Sequence, residues 1–214
     1  MAEKGLFIAF EGIDGSGKST QAKLLASRLS AAGHRVHLTF EPTDNHIGSM
    51  IRDVLKGKET ADERVIAGLF VADRLDHLLN ESYGMLKKLE EGYIVITDRY
   101  YFSSYAYHGT HMDMEWVIDA NSMSASILRP TVNFFIDVPV EVSMQRILRN
   151  REHVELYETS DNLKLVREKY LEAFAKLSNV ENIQFINGNQ TTEQISEDIF
   201  ATVMTYSEIG NTRV

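Results

Sequence analysis

Cysteine is absent from the 214 residues, which excludes disulfide staples, thiolate metal sites and a cysteine nucleophile. Proline occurs three times, at Pro42, Pro130 and Pro139, each beside a predicted strand end where a missing N–H is tolerated. Basic residues are in the minority, 22 Lys and Arg against 31 Asp and Glu, for a net charge of −9. A chain held on nucleic acid or an anionic membrane by bulk charge has the opposite balance, so neither partner is expected. Small anionic ligands stay open, because a few local cations can serve them. No uncharged apolar run approaches the roughly 18 residues of a membrane span. Glu3 and Lys4 precede a short apolar run at residues 6–10, which falls below the roughly 7–15 residues of an export signal, so a cytoplasmic setting is the expectation.

What is present is ordinary globular composition, 43% apolar and 25% charged. At about 150 residues per domain, the length predicts one domain over residues 1–214. Short apolar runs predict strands at residues 5–11, 35–40, 93–97, 132–138 and 183–187. Helical spacing fills 18–32, where Ala22, Leu24, Leu25 and Leu29 share a face and Gly33 is the stop. Further helices are predicted at 47–55, at 61–90 in two pieces broken near Tyr83 and Gly84, and at 115–128, 141–148, 162–177 and 192–206, with 207–214 as a frayed tail. The alternation predicts an α/β fold, a five-stranded mostly parallel sheet with helices on both faces. Ligands bind such sheets at the carboxyl ends of the strands. That rule singles out the loops at residues 11–18, 41–46, 98–102 and 139–141.

The first of these loops reads Gly12-Ile13-Asp14-Gly15-Ser16-Gly17-Lys18-Ser19 and matches G-x-x-x-x-G-K-[ST] between a predicted strand and a predicted helix. Glycines at positions 12, 15 and 17 let successive backbone N–H groups turn inward at phosphate oxygens, at the positive end of the following helix. Lys18 would reach the β- and γ-phosphates of ATP, Ser19 would ligate Mg²⁺, and Thr20 would support the α-phosphate side. Switches, motors and kinases all carry such a loop. An N-K-x-D base-reading segment and an L-S-G-G-Q-type signature are both missing, which leaves a small phosphotransferase or an unusual ATPase. Asp14, an acid inside an anion cradle, is costly unless it faces a hydroxyl or a metal.

Further motifs follow at the predicted strand ends: Glu41-Pro42-Thr43, the segment from Leu69 to His77 with Phe70, Asp73 and Arg74, and the segment from Asp98 to His108. Together with the phosphate loop they resemble thymidylate kinases, P-loop nucleoside monophosphate kinases that phosphorylate dTMP with ATP. The resemblance covers residues 6–173. It implies ATP and dTMP as substrates, Mg²⁺, a homodimer, and a short helical lid at about residues 141–158.

Phe70 and Arg74, four apart on a helix, share a face suited to stacking on and hydrogen-bonding a pyrimidine. The resemblance assigns them to thymine, although alone they would fit a core Phe beside a surface Arg–Asp pair better. Asp98 matches a Walker-B-like metal position, and Arg99 an arginine that bridges donor and acceptor phosphates; a structural Asp–Arg turn is the other reading. Ser103, Ser104 and Tyr107 match sugar and base contacts, with Tyr107 equally open to a core role. Glu41 and Tyr157 are carried to the dTMP site on resemblance, and Asp14 to the acceptor's 3′-hydroxyl. Lys18, Asp14, Arg99 and the lid arginines Arg146, Arg149 and Arg151 form the expected catalytic set. Gly15 follows Asp14 where some relatives have arginine, so lid arginines would supply the catalytic cation. A solvated basic helix face is the alternative for them. Phe40 stands where many relatives carry arginine, and Arg52 is the candidate replacement. His108 stands where many carry glutamine, and Leu156 where arginine is common. His34-x-x-His37 and His108-x-x-His111 lack a carboxylate cluster, so zinc is not expected. Two rivals stay open: a deoxynucleoside kinase using Glu41 as base, and a non-catalytic nucleotide-binding protein.

Overall fold

The structure, a computed structural model, describes residues 5–150 and 156–210, with side chains described there except at residues 150 and 207–210. Its organising strand is β1 (Phe7–Glu11), all five residues of which are buried. Only the centre of a sheet covered on both faces allows that. Strands β2 (Val36–Phe40), β3 (Ile94–Asp98), β4 (Val132–Asp137) and β5 (Ile183–Asn187) complete a sheet in the order β2-β3-β1-β4-β5. Every neighbouring pair is parallel, one step beyond the mostly parallel expectation. The edge strands β2 and β5 are only partly covered, and Leu38, Phe40 and Phe185 face outward.

Successive side chains leave a strand on opposite faces, so the sheet feeds two cores. Phe7, Ala9, Val95 and Phe135 pack with Phe102 of α5 (Tyr101–His108) and with Tyr170 and Phe174 of α8 (Ser160–Leu177). Ile8, Phe10, Ile96, Phe134 and Ile136 pack on the other face with Leu25 and Leu29 of α1 (Lys18–Ala31) and Ile199 of α9 (Thr192–Gly210). The remaining helices are α2 (His46–Leu55), α3 (Glu63–Leu79), α4 (Met85–Glu90), α6 (Met114–Ile127) and α7 (Val140–Asn150). Side-chain caps begin four helices: Asp62 accepts from the N–H of Arg64 before α3, Asp113 from Glu115 and Trp116 before α6, Thr159 from Asn162 before α8, and Thr191 from Gln194 before α9.

All five strands and the helix break near Gly84 fall where the pattern predicts them, within two residues at each strand end. Three helical features do not. α5 has no counterpart in the sequence reading, because eight residues are too few to show a helical period. α9 continues to Gly210 rather than fraying after residue 206, since no glycine or proline intervenes to stop it, and the rest of the expected tail, residues 211–214, lies outside the described residues. α7 starts at Val140 and reaches Asn150, beyond the expected 141–148.

The fully buried Ile96 sits at the centre of the second core. Ile96→Ala should lower the unfolding free energy by about 2–5 kcal/mol. A urea titration should show a lower midpoint at unchanged slope; a shift below about 0.5 kcal/mol would place Ile96 outside the cooperative core.

Candidate active site

The carboxyl ends of β1 and β3 are neighbours, with Phe10 opposite Asp98. That pairing brings the loop after β1 against the turn after β3 across more than eighty residues of chain. Between them lies a cavity of about 560 Å³. Asp14 to Gln21 form one wall, Asp98, Arg99, Ser103, Ser104, Tyr107 and His108 another, and Phe70, Arg146, Tyr157 and Glu158 close the sides.

In the loop, Gly12, Gly15 and Gly17 all have positive φ, 144°, 74° and 101°. Gly15 is required twice over, because a Cβ there would also stand 2.6 Å from the Ser143 carbonyl of α7. The Ser143 hydroxyl donates to the Asp14 carbonyl, and Arg146 donates to the carbonyls of Ser16 (3.1 Å) and Gly188 (3.0 Å). α7 is therefore clamped onto the loop. Lys18 is buried, with Nζ donating to the Ile13 carbonyl at 2.9 Å. Burial, aided by the Arg99 charge, lowers its pKa to about 8 against the pull of Asp14, Asp98 and Glu11. An incoming phosphate would favour the charged form. The Ser16 hydroxyl is buried without a partner.

Ser19 donates to Oδ2 of Asp98, while Oδ1 of Asp98 is buried and unpartnered. A hydroxyl beside a carboxylate with a spare oxygen is a hard-donor pair that fits Mg²⁺, an ion held by one or two protein oxygens plus phosphates. Among the described residues no three His, Asp or Glu side chains converge on a metal position.

Arg99 and Asp14 form an ion pair at the cavity floor. The Tyr107 hydroxyl donates to Asp14 at 2.7 Å, and Arg99 also donates to that hydroxyl (3.2 Å) and to Ser103 Oγ (3.0 Å). Burial pushes the Tyr107 phenol well above its ordinary range. It is therefore a neutral donor, and its placement joins the polar network rather than an inert core. Arg99 has φ 75°, the only positive φ among the described non-glycine residues. Such a conformation costs roughly 1–3 kcal/mol and persists only when its surroundings over-determine it.

Several expected residues stand off the cavity wall. Phe70 lines it, but Arg74, one turn on, is 1% exposed and locked below. Its Nε and Nη2 donate to Glu41 at 2.9 and 2.7 Å, and its Nη1 to Ser104 and Asn121. Glu41, equally buried, also meets His77 Nδ1 at 3.1 Å. A buried carboxylate needs a cation, and Arg74 supplies it. Neither the surface-Arg alternative nor a freely projecting base reader describes this arginine. Arg52 turns away from the cavity because the carbonyls of Pro42 and Thr43 and the Ser49 hydroxyl take its donors. Gly12 and Ile13 lie under the loop rather than on the cavity surface, and Arg149 is exposed on α7. Arg151 lies outside the described residues. Tyr157 lines the cavity, donates to Glu63 at 2.7 Å and sets its ring edge-on to Tyr107, with centroids 5.8 Å apart.

Glu11, Ser143 and Tyr170 are site residues that sequence reasoning missed, and His108 enters it only as a departure at a position where many relatives carry glutamine. For Glu11 the available signal was an acid ending a buried strand directly before a phosphate loop. His108 packs against Phe70 with ring centroids 5.2 Å apart and leaves Nδ1 unpartnered. Burial, then the Arg74 charge, lowers its pKa from 6.5 to about 3, so the ring is neutral at physiological pH. Below pH 6.5 an unfolded chain gains a proton here that the folded one refuses, so stability falls with pH through that window. His108→Gln should remove about 2 kcal/mol of the loss between pH 7 and pH 5. Urea midpoints of both proteins across that range test this; parallel profiles would contradict it.

The thymidylate kinase family pattern matches residues 10–199 of the chain. Among curated relatives, a protein of Pyrococcus horikoshii described as a probable thymidylate kinase is 38% identical over 207 residues, covering 94% of this chain and 96% of its own. One of Thermococcus gammatolerans, described in the same words, is 39% identical over 213 residues, covering 93% and 96%. A third, from Methanocaldococcus jannaschii, is 36% identical over 195 residues, covering 90% of each chain. With a phosphate loop, a facing Asp–Arg turn and an aromatic slot around one cavity, and with these matches along nearly its whole length, the chain belongs to the thymidylate kinase family.

Proposed function

We propose that the protein transfers the γ-phosphoryl group of ATP to the 5′-phosphate of dTMP, giving dTDP and ADP. The observation that carries this reading is the division of one cavity into two ends. A phosphate cradle with Lys18 occupies one, the Phe70–His108 slot occupies the other, and the Asp14–Arg99 pair lies between. The acceptor is already an ionised oxygen, so the site needs no strong general base. Positioning and charge neutralisation then dominate.

In this reading the backbone from Asp14 to Thr20 and the Lys18 ammonium hold the ATP phosphates, with Gly12 and Ile13 shaping the loop from beneath. Ser19 and Asp98 would hold Mg²⁺, which when bound neutralises charge on the β- and γ-phosphates. Arg99 spans donor and acceptor phosphates. Asp14 orients the acceptor's 3′-hydroxyl, and Tyr107 fills the space a 2′-hydroxyl would need. Phe70 stacks on thymine. Ser104 must accept from Arg74, a donor-only group, so its own O–H is free to donate to the base. Ser103 supports Arg99. Glu41, Arg52 and Arg74 shape the monophosphate end from behind, and Tyr157 flanks it. Arg146, with Arg149 and Arg151, would contribute the lid cations over the transferring group. A single domain with a lid at about residues 141–158, a homodimer and a cytoplasmic setting complete the proposal.

One rival is weakened by a specific observation. A deoxynucleoside kinase would use Glu41 as base, yet Glu41 is sequestered by Arg74 and His77 and lines no part of the cavity. A coupled assay over common nucleosides and nucleoside monophosphates decides between them: fastest turnover is expected with dTMP. Turnover of thymidine without dTMP would reverse the choice. Lys18→Ala should lower kcat at least about 10³-fold, as loss of a transition-state cation does, and retained kcat would remove Lys18 from its role. Phe70→Ala should raise KM for dTMP about tenfold while moving KM for ATP less than twofold, as loss of one stacked contact predicts. Equal changes in both would return Phe70 to a packing role.

A further inference from the structure

Glu11 is fully buried beneath the phosphate loop and takes no part in the reaction proposed above. Its Oε1 accepts the backbone N–H of Tyr100 at 2.9 Å. Its Oε2 accepts the hydroxyls of Ser103 at 2.6 Å and Tyr170 at 3.0 Å. Tyr100 is the residue after Arg99, and Ser103 Oγ receives Arg99 Nη1 at 3.0 Å. One carboxyl therefore grips the arginine twice, once through the main chain that follows it and once through its guanidinium's partner.

We propose that Glu11 is a positioning residue for Arg99, its two oxygens holding the left-handed backbone turn and orienting Ser103 to receive the guanidinium. The inference rests on the phosphoryl-transfer reading for the role of Arg99. Hydrogen-bond polarity makes the arrangement specific. Arg99 only donates, so Ser103 must accept from it and spend its single hydrogen elsewhere. That hydrogen goes to Glu11. An amide in place of the carboxyl keeps one oxygen for Tyr100 N–H but puts an NH₂ where Oε2 stood, so Ser103 must accept from it and turn its hydrogen to the Tyr170 hydroxyl 2.8 Å away. The fixed acceptor that orients Ser103 towards Arg99 is then lost. The cost falls on the turn at Arg99, whose φ of 75° is unfavourable without such support. Burial raises the carboxyl to about 7, opposed by Ser103, the Arg99 charge, Tyr170 and Tyr100. Above that pH both oxygens are acceptors.

The test is made at pH 8.5 on the whole chain. Glu11→Gln should lower kcat about tenfold while KM for ATP changes less than threefold, and Ser103→Ala, which leaves Glu11 and the core intact, should act in the same direction. Combined with Arg99→Ala, Glu11→Gln should have no further effect beyond about twofold, because both changes act through one group. Exchange of the Arg99 guanidinium protons, followed by NMR in the free protein, should speed up about tenfold in Glu11→Gln and in Ser103→Ala. That readout needs no turnover, so it judges Glu11 even if dTMP proves not to be the substrate. An unchanged exchange rate overturns the inference. So does a Glu11→Gln penalty that persists in full in the Arg99→Ala background, the mark of a general structural role.

Discussion

Parallel pairing of β1 with β3 is the constraint from which the rest of the molecule follows. It sets Phe10 opposite Asp98 and gives the N–H of Arg99 the carbonyl of Phe10 at 2.9 Å. The chain leaves β1 into a loop of inward-facing N–H groups and leaves β3 into a turn carrying an acid and a cation. Because the two strands are adjacent, Ser19 meets Asp98 and Asp14 meets Arg99. A slip of one residue between these strands would turn Phe10 and Ile96 away from their core. Burial of the apolar faces thus fixes the geometry of the polar site.

Polar groups are arranged in two tiers around that cavity. The upper tier lines the cavity: Lys18, Asp98, Arg99, Ser104 and His108. The lower tier is sealed, with Arg74 on Glu41 and Glu11 under Ser103 and Tyr170. Removing one member of a buried ion pair typically costs about 3–5 kcal/mol, because the other is left uncompensated. The lower tier therefore behaves as rigid bedding for the upper one. A net charge of −9 is compatible with an anionic ligand for the same reason, since the cations that matter are few and converge on one cavity.

Legibility in the sequence varied by element. The strands were readable as short apolar runs and the amphipathic helices by their period of 3.6, both written in neighbouring residues. The phosphate loop was readable because its glycines are required by local backbone geometry and not by distant partners. α5 was not, since eight residues span little more than two turns, too few for a helical period to show. Phe70 and Arg74 were correctly read as sharing a helix face, yet only Phe70 reaches the cavity. Their depth was set by Glu41, more than thirty residues away in sequence.

By itself, the amino-acid sequence determined the α/β class, the phosphate loop and the motifs that resemble thymidylate kinases. These depend on interactions within a few residues, where spacing maps directly onto shape. Tertiary structure alone decided the hydrogen-bond direction at each buried group, the left-handed turn at Arg99, the sealing of Arg74 and Glu41, and the double grip of Glu11. Those outcomes depend on which donors and acceptors are buried against one another across the sheet. Desolvation makes each unmatched group costly, so the pairing is settled only when the strands and helices have met.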